Sequence, residues 1–167
     1  MIREDEIYVR IKQFLTSKGW IVIGGEPPNG TNNIPRIELK DMETKEKGSK
    51  GSKKIDLVFF KDGYFLLNEL KSIFNQKDVN KLNEITQNEK WRKSFINALY
   101  EKKIFKWNNI KINPEDYIKS NAYLIKSISY SIGSKIPNDF VVFVVDKEKI
   151  TIKFGLNINN IIKSLFI

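Results

Sequence analysis

The spacing of apolar residues divides the first third of the chain into three parts. Over residues 5–17 apolar side chains recur at helical spacing, which predicts an amphipathic first helix. Residues 20–23 form a short apolar run that ends at two glycines, as is typical of a strand. Residues 26–54 hold three of the five prolines and a run of Gly, Ser and Lys. We therefore expect a basic loop insertion there, with at most a short strand at residues 34–39.

Two β-prone runs in the middle of the chain give the clearest predicted element. Residues 55–60 and 64–71 are apolar and are joined by Asp62 and Gly63. An Asp-Gly pair is preferred in the two-residue type I′ turns of β-hairpins. The sequence therefore predicts a tight antiparallel hairpin.

Helical and strand patterns alternate in the rest of the chain. Asp78 is a candidate cap for a helix whose apolar spacing continues to Leu99, with a break near Asn88. Another helix is predicted to begin at Pro114 and to reach Ile125, because proline suits the first helical turn. The remaining predicted elements are a strand buried on both faces at residues 140–145, an alternating strand at residues 150–154 and a short helix at residues 159–167.

Length and composition limit the classes of function. The 167 residues suit a single domain over the whole chain, with a C-terminal extension after about residue 146. Because Lys and Arg number 29 against 20 Asp and Glu, the net charge of +9 favours a polyanionic partner. Cysteine and histidine are absent, so the available chemistry is that of carboxylates, lysines, hydroxyls or a bound metal.

No apolar run reaches the roughly 20 residues that span a bilayer, and the N-terminus lacks the apolar stretch of a signal peptide. We therefore expect a cytoplasmic protein without a membrane partner. A membrane-surface role is a weaker alternative, since no helix is predicted to be both basic and strongly amphipathic.

The predicted hairpin brings two acids together. Counting outward from a two-residue turn places Asp56 directly opposite Glu69. Cross-strand partners have Cβ atoms about 4.5–5.5 Å apart, and like charges at that spacing destabilise a sheet. Alternation puts Lys71 on the same face as Glu69, next to both acids. Charges among apolar neighbours need a partner or a metal, and this conflict marks a candidate site.

Two facing carboxylates are ligands that Mg²⁺ prefers, and a bound Mg²⁺ polarises a phosphate and acidifies a water molecule. The ammonium of Lys71 can orient the nucleophile or stabilise developing charge. The competing interpretation is a structural ion pair at the open end of the hairpin. A one-residue slip in register would also separate the two acids.

These residues resemble the signature of the PD-(D/E)XK nuclease superfamily, which has an acid on one strand of a hairpin and Glu-X-Lys on the next. Here Asp56 is followed, after twelve intervening residues, by Glu69-Leu70-Lys71. Ile55 replaces the proline that precedes the aspartate in the family. The predicted element order also resembles the αβββαβ core of the family over about residues 4–100, with residues 140–145 as the fourth strand.

The resemblance implies an α/β fold with a restriction-endonuclease-like core, in which helices flank a central mixed sheet. It implies a Mg²⁺-dependent endodeoxyribonuclease, with Mn²⁺ as a substitute, that acts in restriction, repair or Holliday-junction resolution. It further implies a homodimer acting on DNA and no small-molecule substrate. The implied catalytic residues are Asp56, Glu69, Lys71 and Glu4, and the implied metal ligands are Asp56, Glu69, Glu4 and Leu70.

A glutamate on the first helix is a further candidate for the site. Members of this superfamily often place another glutamate on the first helix. Glu4 is in phase with the core-facing stripe of that helix, whereas Glu6 lies on the polar side. An alternative is that the acids of this first turn only complement the helix dipole.

Basic residues near the acids are candidates for phosphate contacts. A Lys-rich loop leads directly to the first acid, and a second basic cluster surrounds Trp91. Such a loop can equally be a solvated connector, and the protein can equally be a non-catalytic nucleic-acid-binding module that keeps the fold. The candidate nucleic-acid-binding residues are Lys47, Lys50, Lys53, Lys54, Gln76, Lys77, Lys90, Arg92 and Lys93.

Overall fold

The computed structural model describes residues 1–28, 34–41 and 51–167. The candidates Lys47 and Lys50 lie outside the described residues. The helices are α1 (Glu4–Ser17), α2 (Gln76–Gln87), α3 (Glu89–Glu101), α4 (Ile104–Trp107), α5 (Pro114–Ile118) and α6 (Asn160–Ser164). The strands are β1 (Ile21–Gly25), β2 (Glu38–Leu39), β3 (Lys53–Lys54), β4 (Leu57–Lys61), β5 (Tyr64–Ile73), β6 (Leu124–Ile132), β7 (Phe140–Val145) and β8 (Ile150–Phe154).

Six strands form one mixed sheet in the order β1-β4-β5-β6-β7-β8. The pairs β5/β6 and β6/β7 are parallel, and the other three pairs are antiparallel. Strands β2 and β3 form a separate two-stranded sheet. The predicted α/β class, with a central mixed sheet flanked by helices, is confirmed.

Both faces of the sheet are buried. Helices α2, α3 and α5 pack on one face, to which α2 contributes Leu82 and α3 contributes Phe95. Helix α1 and the C-terminal residues cover the other face, where Ile11 and Phe166 are buried. A sheet covered on both sides explains why β4 and β7 are nearly continuous apolar runs. Among the described residues, no helix has the length and apolarity needed to cross a bilayer.

The hairpin forms in the predicted register. Asp62 and Gly63 have φ angles of 49° and 85°, the positive values that a type I′ turn requires. Pairing then continues to Leu57, which lies opposite Asn68. The turn therefore fixes the register of the whole hairpin, as local sequence predicts.

The strand next to the hairpin differs from the prediction. The helix expected to continue to Ile125 ends at Ile118, and β6 begins at Leu124. Strand β6 pairs with β5, so that residues 140–145 form the next strand beyond it and not the fourth strand of the core. The prediction was wrong here because β6 alternates apolar residues with serines, which gave no signal of full burial.

Two of the three serines of β6, Ser127 and Ser129, are buried, and Asn68 on β5 provides partners for them. The Asn68 amide nitrogen donates to the hydroxyls of Ser127 and Ser129, each at 2.9 Å. All three side chains are at most 1% exposed. Because buried polar groups need partners, this network permits a polar strand in the middle of the sheet.

The helix that follows β5 begins slightly earlier than predicted. The Asn75 side chain accepts a hydrogen bond from the Lys77 N–H and caps α2, so Asp78 lies in the first turn and is not the cap. The predicted break near Asn88 is confirmed, since α2 and α3 meet there. The first turn of α2 is thereby placed at the end of β5.

At the end of the edge strand β1, a glycine lets the backbone lie close to Asp56. A Cβ atom on Gly25 would lie 2.2 Å from the carbonyl oxygen of Asp56, and the φ of Gly25 is +153°. The next residue, Glu26, donates its N–H to that same carbonyl at 2.9 Å. Gly25 thus allows the backbone of β1 to approach Asp56 closely.

We predict that Gly25→Ala lowers the free energy of unfolding by about 1–3 kcal/mol, because the methyl group meets backbone and the φ is strained. Urea denaturation followed by tryptophan fluorescence measures the change. Gly63→Asn is the matched control: its φ of +85° is tolerated by asparagine, and its nearest neighbour, the Tyr117 hydroxyl, is 3.7 Å away. Equal stability of Gly25→Ala and the natural protein would show that β1 can move away.

Candidate active site

The two predicted acids meet at the open end of the hairpin. The backbone N–H of Asp56 donates to Glu69 Oε2 at 2.9 Å, and the N–H of Leu70 donates to Asp56 Oδ2 at 3.0 Å. Glu69 is only 1% exposed, whereas Asp56 is half-buried. These two bonds hold both carboxylates together at the open end of the hairpin.

A lysine from α2 completes this pair. The Lys81 ammonium contacts Glu69 Oε1 and donates to the Lys54 carbonyl at 2.8 Å. It also acts electrostatically on Asp56. A buried carboxylate needs a positive partner, and Lys81 supplies it.

Burial dominates the electrostatics of this cluster. It raises the pKa of Asp56, and repulsion by Glu26 adds to that effect, whereas the N–H of Leu70 and the ammonium groups of Lys71 and Lys81 oppose it. Burial also lowers the pKa of Lys81, against the attraction of Asp56. Both pKa shifts have the same cause: solvent reaches these two charged groups only in part.

Asp78 on α2 lies within electrostatic range of charged residues on the hairpin and on α1. Burial raises its pKa to about 6, with repulsion from Asp56 and Glu4 in the same direction and attraction by Lys71 against it. Glu4 is half-buried at the start of α1, whereas Glu6 is exposed. The structure thus places Glu4, not Glu6, within electrostatic reach of Asp78.

A further acid approaches from β1. Glu26 follows the strand directly, and its carboxylate lies 3.5 Å from the Lys54 ammonium and 3.9 Å from the Arg36 guanidinium. Its charge acts on both Asp56 and Lys81. The cluster therefore alternates acids with lysines.

A cleft of about 560 Å³ opens beside Lys81. Lys53 in this cleft forms an ion pair with Glu84 at 3.0 Å, and Lys77 is exposed. Phosphate groups are the ligands that such lysines attract. The lining residues are Ser52, Lys53, Lys54, Lys77, Asn80, Lys81 and Glu84.

The other predicted binding residues do not line this cleft. Gln76 is exposed and donates to Asn80, while Lys90 pairs with Asp41 at 3.6 Å and Lys93 is exposed. Arg92 was expected on a basic surface, but the structure buries its guanidinium.

The buried Arg92 joins two segments of backbone. Its guanidinium donates to the carbonyls of Thr86 and Ile118, each at 2.9 Å. These bonds connect the end of α2 to the end of α5. Arg92 therefore has a structural role, and Trp91 beside it is also buried in the core.

The ligands around Lys81 are those of a hard cation. The Glu69 carboxylate and the Lys54 carbonyl contact its ammonium, and the charge of Asp56 acts on it from nearby. Such an all-oxygen set suits Mg²⁺. Leu70 contributes its N–H, which orients Asp56. Within the described residues, no three Asp or Glu side chains are close enough together to hold a metal by themselves. Water or substrate oxygens would have to complete the coordination.

Lys81, Asp78 and Glu26 were not identified as site residues from the sequence. Lys81 and Asp78 are three residues apart on α2, so they share one helical face beside its buried stripe. That spacing, together with a helix that begins where β5 ends, is the signal that would have indicated them. Glu26 carries no comparable signal, because its position depends on the pairing of β1 with β4.

No family model matches this chain, and comparison with curated proteins and with solved structures gives no significant match. Functional conclusions therefore depend on the chemistry of the site.

We predict that Asp78→Asn changes how stability varies with pH. Because the folded pKa of Asp78 is raised from 3.8 to about 6, the folded state binds more protons between these values, and stability falls as pH rises through them. Asp78→Asn removes this decline, so its gain over the natural protein grows to about 1 kcal/mol at pH 7.5, after discounting for solvent screening.

Urea denaturation at pH 4 and pH 7.5 measures this difference. Asp62→Asn, at an exposed turn acid, is the control and is expected to give the same difference at both pH values. A constant offset for Asp78→Asn would mean that Asp78 is not a shifted acid.

Proposed function

We propose that this chain is a divalent-metal-dependent endonuclease that hydrolyses phosphodiester bonds of DNA. The observation that carries the proposal is the pair Asp56 and Glu69, in which each carboxylate accepts a hydrogen bond from backbone of the other arm of the hairpin and the Lys81 ammonium contacts Glu69. The lysine-lined cleft next to this pair supports a polyanionic substrate.

The arrangement of the sheet supports a restriction-endonuclease-like core. Helix α1, strand β1, the β4–β5 hairpin and α2 follow in the order of an αβββαβ unit, with β6 as the last strand. Strand β6 lies parallel to β5 on the side away from the hairpin partner. The proposed members of this site therefore come from adjoining strands and the helices that pack over them.

The proposed cofactor is Mg²⁺, with Mn²⁺ as a substitute. Asp56, Glu69 and the Lys54 carbonyl would hold it. The resemblance implies Glu4 and Leu70 as further ligands, but in the structure Glu4 does not form a three-acid group with Asp56 and Glu69. When bound, the ion polarises a phosphate and acidifies a water molecule.

The remaining charges have separate tasks in this proposal. Lys71, on the same strand face as Glu69, stabilises negative charge on the phosphate. Asp78 has a pKa near neutrality, which suits it to accept a proton from the attacking water. The lysines of the cleft bind the phosphates that flank the one cleaved.

A second candidate function is a non-catalytic nucleic-acid-binding module. The contact between Lys81 and Glu69 favours it, because this ion pair already neutralises the buried acid. In that case the cluster stabilises the fold, and the basic cleft binds DNA without cutting it. Cleavage assays separate the two candidates.

The homodimer is also a proposal, since two active sites are needed to cut both strands of a duplex. Light scattering of the purified protein, alone and with DNA, tests it. The cytoplasmic location remains a prediction from the sequence.

We predict nicking of plasmid or branched DNA in Mg²⁺ or Mn²⁺ and none in chelator. Asp56→Asn, Glu69→Gln and Lys71→Ala should each reduce the rate about a hundredfold or more, because each removes a charge from the reacting phosphate or its cation. Gel assays of initial rates measure the change.

Two controls match these substitutions. Asp62→Asn changes an exposed acid of the same hairpin, and Lys153→Ala removes an exposed lysine from β8. Both should retain full activity. Full activity of all three site variants would reject this site, and DNA binding without cleavage under every condition would favour the binding module.

We predict that Lys81→Met strengthens Mn²⁺ binding about tenfold, because an incoming cation no longer competes with an ammonium at Glu69. Isothermal titration calorimetry measures the affinity without any substrate. Lys77→Met is the control, since Lys77 lines the same cleft but is exposed. Weaker binding by Lys81→Met would show that the ammonium does not occupy the place of the metal.

A further inference from the structure

A second basic surface surrounds the one-turn helix α4, away from the acids. This turn buries Ile104 and Phe105, and the same turn directs Lys106 and Trp107 outward. Trp107 is 79% exposed, which is unusual for so large an apolar side chain. Tyr100, near the end of α3, is 50% exposed and lies against Phe105, with ring centroids 4.6 Å apart.

Four exposed lysines accompany these rings: Lys102, Lys103, Lys106 and Lys111. We call Tyr100, Trp107 and these four lysines the α4 platform. Lys102 and Trp107 border a cleft of about 310 Å³ on one side of α4. The other three lysines and Tyr100 border a cleft of about 430 Å³ on the other side. No ion pair joins any of the four lysines to another residue of the described chain.

The α4 platform lies along the same edge strand as the proposed active site. The cleft below Trp107 is bordered by Ile23 of β1 and by Pro35. The Pro35 carbonyl accepts a hydrogen bond from the Gly25 N–H at 2.9 Å, and the adjoining Glu26 N–H donates to the Asp56 carbonyl. Strand β1 therefore connects the platform directly to the acids.

The chemistry of the platform matches nucleic acid with exposed base faces. Aromatic side chains stack on unpaired bases, and lysines neutralise the phosphates between them. In a continuous duplex the base faces are stacked on one another and do not reach a surface ring. An acidic protein segment would meet the lysines but would gain little from the exposed rings.

We propose that the α4 platform binds an unpaired stretch of nucleic acid, with bases on Trp107 and Tyr100 and phosphates at the four lysines. This goes beyond the proposed cleavage site, which needs only the phosphate backbone. It rests on the proposed function only in taking nucleic acid as the partner. A substrate with both duplex and unpaired segments would then contact both sites.

Tryptophan fluorescence tests the proposal, because Trp20 and Trp91 are 1% and 4% exposed and Trp107 is the exposed tryptophan of the three. With chelator present to prevent cleavage, oligothymidylate should quench the emission of the natural protein. The quenching should be absent in Trp107→Phe. Trp107→Ala should weaken binding of oligothymidylate about tenfold, as expected for one lost base stack, and leave binding of a blunt duplex unchanged.

A matched charge variant separates stacking from attraction. Lys106→Gln with Lys111→Gln should weaken oligothymidylate binding, whereas Lys147→Gln with Lys149→Gln, at the turn between β7 and β8, should not. Unchanged emission with saturating oligothymidylate would overturn the proposal, as would equal loss of single-stranded and duplex binding in Trp107→Ala. Equal quenching by polyglutamate would assign the platform to an acidic protein partner instead.

The proposed function and this inference fail independently. If plasmid nicking requires Asp56 and Glu69 but Trp107→Ala binds oligothymidylate normally, only the platform is rejected. If no metal-dependent cleavage occurs but oligothymidylate quenches Trp107, the platform is retained and the nuclease is rejected.

Discussion

The buried carboxylate of Glu69 is the constraint on which the site depends. A carboxylate that is 1% exposed on a central strand needs both hydrogen-bond donors and a positive charge. The hairpin register supplies the donor, since it brings the Asp56 N–H to Glu69. Helix α2 supplies the charge through Lys81. The turn that follows β5 must therefore deliver α2 to this face, and Asn75 fixes where that helix begins.

Negative charge gathers around the two acids of α2 and the hairpin. Burial raises the pKa values of Asp56 and Asp78. Repulsion by Glu26 adds to the shift of Asp56, and repulsion by Asp56 and Glu4 adds to the shift of Asp78. Like charges gathered in a half-buried place destabilise one another unless positive charge lies between them. Lys81 partly meets that need, but its ammonium is itself partly buried, and this burial lowers its pKa. A divalent cation would balance more of the negative charge than one ammonium does.

Local sequence predicted the parts of this arrangement that depend on neighbouring residues. The Asp-Gly turn predicted the hairpin and its register, which pairs the strands up to Leu57 and Asn68, and with it the closeness of Asp56 and Glu69 just beyond. Strand β6 was not predicted because two of its serines, Ser127 and Ser129, are buried with a partner on β5, some 60 residues away in the chain. The roles of Lys81 and the buried Arg92 were not predicted for the same reason. Their partners come from distant segments, and sequence alone predicts that a charged residue on a helix is exposed to solvent.

The two candidate functions differ in which cation Glu69 keeps. If the ammonium of Lys81 stays, the cluster is a closed ion pair and the cleft can only bind. If a divalent ion takes that place, Lys81 is released next to Lys77 and Lys53, where its charge adds to the cleft. The same exchange would then create the reactive centre and strengthen the attraction for phosphate beside it. In the proposed nuclease, the position of Lys81 between the carboxylate and the cleft would thus couple metal binding to substrate binding through a single side chain.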